Sequence, residues 1–134
     1  MNKIGIIGSG LVAQALAKGL IKHGYSVMTG SRDSLKREEL RKNTGALSGS
    51  FEETASFGEI IIFAVKGIAA EKVMSDLSDR LSGKTVIDTT NPIAERPPIN
   101  GVIQFFTSLD DSLLERLQNL APGANLVKAF NSVG

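Results

Sequence analysis

The chain has 134 residues, 42% of them hydrophobic and 22% charged, which suits one globular domain and excludes disordered, collagen-like and coiled-coil classes. Fifteen Lys and Arg against fourteen Asp and Glu leave a net charge of +1, too little for the basic face that nucleic acid demands. With no cysteine and one histidine, His23, disulfide scaffolds, thiolate nucleophiles and Cys or multi-His metal sites are excluded, so whatever chemistry occurs must be borrowed.

Ile4-Gly5-Ile6-Ile7-Gly8 is an apolar run ending in glycine, the pattern of a strand buried on both faces of a parallel sheet. From Leu11 to His23 the positions Leu11, Ala15, Leu16, Gly19 and Leu20 recur at helical spacing, with Gly24 closing the helix and the His23 imidazole placed to cap its last carbonyls. Tyr25 to Thr29 reads as a second strand, and Gly30-Ser31-Arg32-Asp33 turns into a charged helix from Leu35 to Lys42 that Asn43-Thr44-Gly45 breaks. Ala46 to Ser48 predicts a short third strand, Phe51 to Phe57 a short helix, and Ile60 to Val65 a buried fourth strand. Val73, Leu77 and Leu81 fall four apart on a helix running from Ile68 to Gly83, and Thr85 to Thr89 resumes as the fifth strand.

Asn91 to Thr107 holds three prolines and reads as a long loop. Ser108 and Asp111 resemble a capping box for a helix carrying Leu113, Leu114, Leu117 and Leu120, with Asp110 and Asp111 in its first turn. Pro122-Gly123 stops that helix, and Ala124 to Phe130 is the sixth strand. The alternation predicts an α/β fold, a doubly wound parallel sheet in a single three-layer α/β/α domain over residues 1–134, and with the glycine-rich turn after the first strand the order expected is 3-2-1-4-5-6. No signal peptide and no apolar stretch of about 18 residues can be drawn, so a cytoplasmic protein without membrane contact is expected.

Gly8-Ser9-Gly10-Leu11-Val12-Ala13 is G-x-G-x-x-A between the first strand and the first helix, where a dinucleotide fingerprint belongs. Gly8 permits the tight turn, Gly10 admits a pyrophosphate against bare backbone, and Ala13 lets the helix pack close. The free N–H groups of the helix start attract the phosphates. At the end of the second strand an acid would accept from a ribose 2′-OH, whereas a basic or hydroxylic pair accommodates a 2′-phosphate. Ser31 and Arg32 stand there, Arg32 lying 22 positions after Gly10, so NADP is favoured over NAD. Lys36 either adds a point charge or joins Arg37, Arg41 and Lys42 in a charged helix face, and Asp33 could replace the missing acid if the strand ran later.

Two more loops leave the carboxyl ends of strands, where open α/β sheets bind ligands. In Ala64-Val65-Lys66-Gly67 the backbone could line the nicotinamide-side groove, while Lys66 either contacts a ligand or stays in solvent. In Thr89-Thr90-Asn91-Pro92, Asn91 offers amide hydrogen bonds and Pro92 fixes the loop direction, a plain turn being the alternative. Phe105, Phe106, Met28 and Met74 read as packing residues. No metal and no catalytic side chain are expected, because hydride transfer can proceed by proximity and orientation alone. A methyltransferase with a similar glycine-rich turn is disfavoured by Ser31-Arg32, which stands where an acid is expected.

Lys3-Ile4-Gly5-Ile6-Ile7-Gly8-Ser9-Gly10, Thr29-Gly30-Ser31-Arg32, Asp88-Thr89-Thr90-Asn91-Pro92 and Val127-Lys128-Ala129-Phe130-Asn131 together resemble the deazaflavin-dependent NADP reductase family, which transfers hydride between NADP and coenzyme F420. The cytosolic NADPH-binding domains of six-transmembrane metalloreductases are similar, and pyrroline carboxylate reductases more distantly so. The resemblance spans essentially the whole chain. It implies a Rossmann domain with its phosphate-binding loop at Ser9, Gly10, Leu11 and Val12, a 2′-phosphate site at Ser31, Arg32 and Lys36, and nicotinamide-side contacts at Val65, Lys66, Asn91 and Ala129. The acceptor it implies is a deazaflavin, a flavin or a similar small molecule. Members of the family usually continue past the last motif into a segment that helps build the second-substrate pocket and a homodimer, and this sequence stops at Gly134. The expectation is therefore an NADP-binding oxidoreductase domain or a non-catalytic cofactor-binding module, with the oligomeric state open.

Overall fold

The computed structural model describes residues 3–90 and 112–129. Strands and helices alternate along them: β1 Lys3–Ile7, α1 Leu11–Lys22, β2 Ser26–Gly30, α2 Ser34–Thr44, β3 Leu47–Gly49, α3 Phe51–Phe57, β4 Ile60–Phe63, α4 Gly67–Leu81, β5 Thr85–Asp88, α5 Leu113–Leu120 and β6 Asn125–Lys128. The strands pair in parallel in the order β3-β2-β1-β4-β5-β6, which is the doubly wound order expected from the sequence.

Because side chains alternate along a strand, each strand feeds both faces of the sheet. Ile4 and Ile6 of β1 join Val27, Ala46 and Ile62 against Ala13 and Ala17 of α1, where small residues let the helix approach the sheet closely. On the opposite face Ile7, Ile61, Phe63 and Val86 pack against Val73, Met74, Leu77 and Leu81 of α4 and Leu113 and Leu117 of α5. The stripe predicted from Val73, Leu77 and Leu81 is thus the buried face of α4. The short α3 rests on β1 and β2 so closely that a Cβ on Gly5 or Gly30 would strike Thr54. Lys84 ties down the end of α3 by donating from its ammonium to the Ala55 carbonyl, and burial holds its pKa below the usual lysine range.

Element ends differ from the sequence expectation where a cap decides them. The backbone N–H of His23 donates to the Gly19 and Leu20 carbonyls, so the capping role expected of its imidazole falls to the main chain. β2 ends at Gly30, and the Asp33 carboxylate accepts from the Leu35 N–H at 2.9 Å, making it the N-cap of α2 and removing it from the strand end. α5 is capped by Ser112, whose Oγ accepts from the Glu115 N–H at 3.1 Å. That Ser-x-x-Glu cap stands one turn later than the one expected at Ser108 and Asp111, which lie outside the described residues with Asp110, Phe105 and Phe106. No helix among the described residues is long and apolar enough to cross a membrane.

Candidate functional site

β1 and β4 are neighbours at the centre of the sheet, and the chain leaves them toward opposite faces, which opens a cleft at their carboxyl ends. The cleft measures about 370 Å³ and is walled by Gly8, Ser9 and Gly10 after β1 and by Ser31, Arg32 and Asp33 after β2. Ala64, Val65 and Lys66 after β4, Ala69 and Val73 of α4, and Phe51 of α3 complete it. Main-chain bonds hold these loops to one another: the Gly8 N–H donates to Gly30 at 3.1 Å, the Ala64 N–H to Ile7 at 2.8 Å and the Ser31 N–H to Gly49 at 3.1 Å.

The two glycines of the turn are unlike. Gly8 has φ 143°, and a Cβ there would collide with the carbonyl oxygen of Ala64, so the fold itself demands glycine. Gly10 has an ordinary extended conformation, φ −80° and ψ −170°, and a Cβ there would meet no protein atom within 4 Å. The side-chain amide of Gln14 donates to the Ser9 carbonyl at 3.2 Å and braces the turn from α1.

Helix ends give the cleft its electrostatics. α2, α3 and α5 are capped by the side chains of Asp33, Ser50 and Ser112, whereas the N-cap positions of α1 and α4 are Gly10 and Lys66, with no side-chain cap and no acid in the first turn. Both starts lacking a side-chain cap face the cleft; at α4 the Ala69 N–H is taken by the Lys66 carbonyl at 3.0 Å, and the positive dipole ends of both helices remain available to an anion. Nearby, the Ser50 main chain and hydroxyl hydrogen-bond the Glu53 carboxylate in a capping box and hold its pKa below the usual value.

Of the expected site residues, Gly8, Ser9, Gly10, Ser31, Arg32, Val65 and Lys66 come together on the cleft wall. Ser31 is 5% exposed, and its Oγ accepts from the Asp33 N–H at 3.3 Å. Arg32 stacks over the Phe51 ring at 5.1 Å and pairs with Asp76 at 3.8 Å, with more than half of its side chain in solvent. Leu11 and Val12 occupy the first turn of α1 with side chains 86% and 54% exposed. Lys36 is not on the wall and pairs with Glu39 at 3.7 Å. Ala129 follows β6 and donates its N–H to the Asp88 carbonyl at 3.0 Å, while Asn91 and Pro92 lie outside the described residues.

Sequence reasoning missed two features. Arg37, grouped there with a charged helix face, reaches back so that Nε donates to the Ser31 carbonyl at 2.7 Å and Nη2 to the Arg32 carbonyl at 3.3 Å. An N-cap at Asp33 places residue 37 one turn above the loop, a signal available once the cap is recognised. The second feature is a buried polar network beyond β5 and β6: the Asp88 carboxylate is fully buried and accepts from Lys128 Nζ at 3.0 Å. Its signal is two successive apolar strands, Thr85–Asp88 and Asn125–Lys128, ending in opposite charges. Among the described residues no group of three His, Cys, Asp or Glu could hold a metal ion.

The family model for "NADP oxidoreductase coenzyme F420-dependent" matches residues 3–92. Metalloreductase STEAP3 of Rattus norvegicus is 34% identical over 131 residues, 98% of this chain and 25% of that protein. Pyrroline-5-carboxylate reductase of Arabidopsis thaliana is 26% identical over 90 residues, 63% of this chain and 33% of that protein. The fold matches a crystal structure from Arthrobacter sp. FB24, proposed to be an F420-dependent NADP reductase, with TM-score 0.88 at 22% identity over 98% of this chain and 63% of that one. The chain therefore spans about a quarter of the metalloreductase and a third of the pyrroline-5-carboxylate reductase it matches. With the fingerprint, the strand order and a family match over residues 3–92 in agreement, the chain belongs to the coenzyme F420-dependent NADP oxidoreductases, and NADP is its cofactor.

Proposed function

We propose that the β1/β4 cleft holds NADP(H) and presents it to a deazaflavin, a flavin or a similar small acceptor. The observation that carries this reading is Gly10, a glycine that neither its backbone angles nor any neighbouring protein atom requires. A ligand lying against the turn explains it, because a pyrophosphate needs the room a Cβ would fill. The N–H groups of Leu11, Val12 and Ala13 belong to the uncapped start of α1 and bind the pyrophosphate oxygens. Arg32 and Ser31 take the 2′-phosphate. The present partner of Arg32 is an exposed carboxylate, a pair worth at most about 1 kcal/mol, so a doubly charged phosphate displaces it readily. Val65 and Lys66 border the nicotinamide side, with Asn91, Pro92 and Ala129 expected beyond them. Lys36 is held by Glu39 and serves as a secondary charge.

When bound, NADPH supplies a hydride to the acceptor. The protein contributes orientation and water exclusion. Titration calorimetry with NADPH and NADH tests the reading. Arg32→Ala is expected to weaken NADPH by about 1.5–3 kcal/mol, the worth of a hydrogen bond to a charged group, and to leave NADH unchanged. Equal affinity of the native chain for both nucleotides would defeat the 2′-phosphate assignment. NADPH oxidation is then followed with a deazaflavin, a flavin and a ferric chelate; binding without turnover in all three marks a cofactor-binding module.

A further inference from the structure

We infer that Lys128, through its ion pair with Asp88, is a positioning residue for the nicotinamide end of NADP(H). This rests on the NADP(H) reading of the cleft. Asp88 and Lys128 are register partners at the carboxyl ends of β5 and β6. One carboxylate oxygen of Asp88 accepts from the Thr90 N–H at 2.9 Å and the Thr90 hydroxyl at 2.6 Å, and the other accepts from Lys128 Nζ at 3.0 Å. Lys128 Nζ also donates to the Thr90 carbonyl, closing a ring of three residues around the turn that leaves β5. Just before it, the N–H and hydroxyl of Thr89 both donate to the Phe63 carbonyl, at 3.0 and 2.9 Å. Phe63 is followed by Ala64 and Val65 of the cleft wall, so the turn is fastened on one side to the cleft and on the other to β6.

A buried ion pair is a poor source of stability, since apolar residues of similar size commonly serve as well or better. β5 and β6 would pair through their backbones with such residues at these two positions. A carboxylate that takes two bonds from one turn and a third from a lysine that also holds that turn instead fixes geometry. Lys128 is not on the cleft wall, so it acts through Thr90 and through Ala129, whose N–H donates to the Asp88 carbonyl, and these lead to the residues expected beside the nicotinamide.

The test compares NADPH with 2′-phospho-ADP-ribose, which lacks the nicotinamide, by titration calorimetry on the full chain, with the fluorescence of bound NADPH as a second readout. Lys128→Gln is expected to weaken NADPH about tenfold, as misplacement of one end of a ligand does, while 2′-phospho-ADP-ribose changes by less than about twofold. The emission of bound NADPH shifts toward that of the free nucleotide, and Lys128→Arg restores most of the loss. Asp88→Asn/Lys128→Gln, which leaves no buried charge behind, shows the same division between the two ligands. Equal weakening of both ligands, no weakening of either, or a double variant unfolded by circular dichroism overturns the assignment of Lys128 alone. A native chain that binds neither ligand overturns the NADP(H) reading of the cleft, and this proposal with it.

Discussion

Gly8 and Gly10 are two positions apart, yet opposite outcomes are expected when each gains a methyl group. At Gly8 the methyl meets the Ala64 carbonyl in a backbone conformation that L-residues avoid, and Gly8→Ala should cost at least about 2 kcal/mol of stability in urea unfolding. At Gly10 the space is open and φ is ordinary, so Gly10→Ala should cost no more than about 1 kcal/mol, the difference between glycine and alanine as an N-cap. The same variant should lose most NADPH affinity by calorimetry; unchanged affinity would mean that no ligand lies against this turn. Both glycines were legible as a fingerprint, since their spacing and place after an apolar run are properties of the sequence. Which of two neighbouring cations meets the loop was not. Lys36 and Arg37 differ by about 100° around a helix, and only the cap at Asp33 sets that rotation.

At the scale of elements, the capping boxes and caps decide where helices start, and they can be weighed one by one. The Ser50 hydroxyl accepts from the Glu53 N–H at 3.1 Å while the Glu53 carboxylate accepts from the Ser50 N–H at 3.0 Å, on a helix of only 7 residues. Ser50→Ala should therefore lower stability by about 1 kcal/mol, read from the shift in denaturant midpoint. Because Glu53 has a lower pKa folded than unfolded, its contribution is complete above the ordinary carboxylate range and disappears as pH falls through the depressed folded value. Glu53→Gln should flatten the acid limb of the stability profile, and an unaltered limb would show that the box contributes nothing there. Strands were read to within a residue or two because their apolar runs are short and bounded by glycine. The start of the helix capped by Ser112 was displaced because two Ser-x-x-acid pairs, Ser108 with Asp111 and Ser112 with Glu115, compete in the same stretch.

At the scale of the whole molecule, alternating strands and helices with right-handed crossovers leave few arrangements of six parallel strands, and the dinucleotide fingerprint after the first strand selects the order found. What rhythm does not encode is pairing across strands, and the Asp88 and Lys128 bond depends on a register that exists only in the assembled sheet. A ligand that bridges loops after β1, β2 and β4 should stabilise the molecule as a unit. NADPH at a free concentration one hundred times its Kd is expected to add about 2.7 kcal/mol, seen as a single cooperative upward shift in Tm that NADH at equal concentration does not match. Two separate transitions would mean that the domain does not unfold as one body.

The central place of β1 also governs how the molecule can be made. Its apolar run is synthesised before the other five strands, yet its second neighbour, β4, begins only at Ile60, thirty residues after β2 ends at Gly30. At roughly 5–20 residues per second, the β4 edge of β1 waits roughly 2–6 s for its partner during translation. A ribosome pausing in that interval holds a two- or three-stranded parallel fragment with an open isoleucine-rich edge, the species most prone to pair with another nascent chain. Slow codons placed between Gly30 and Ile60 should thus lower the soluble yield of a chain whose finished sheet has no such edge.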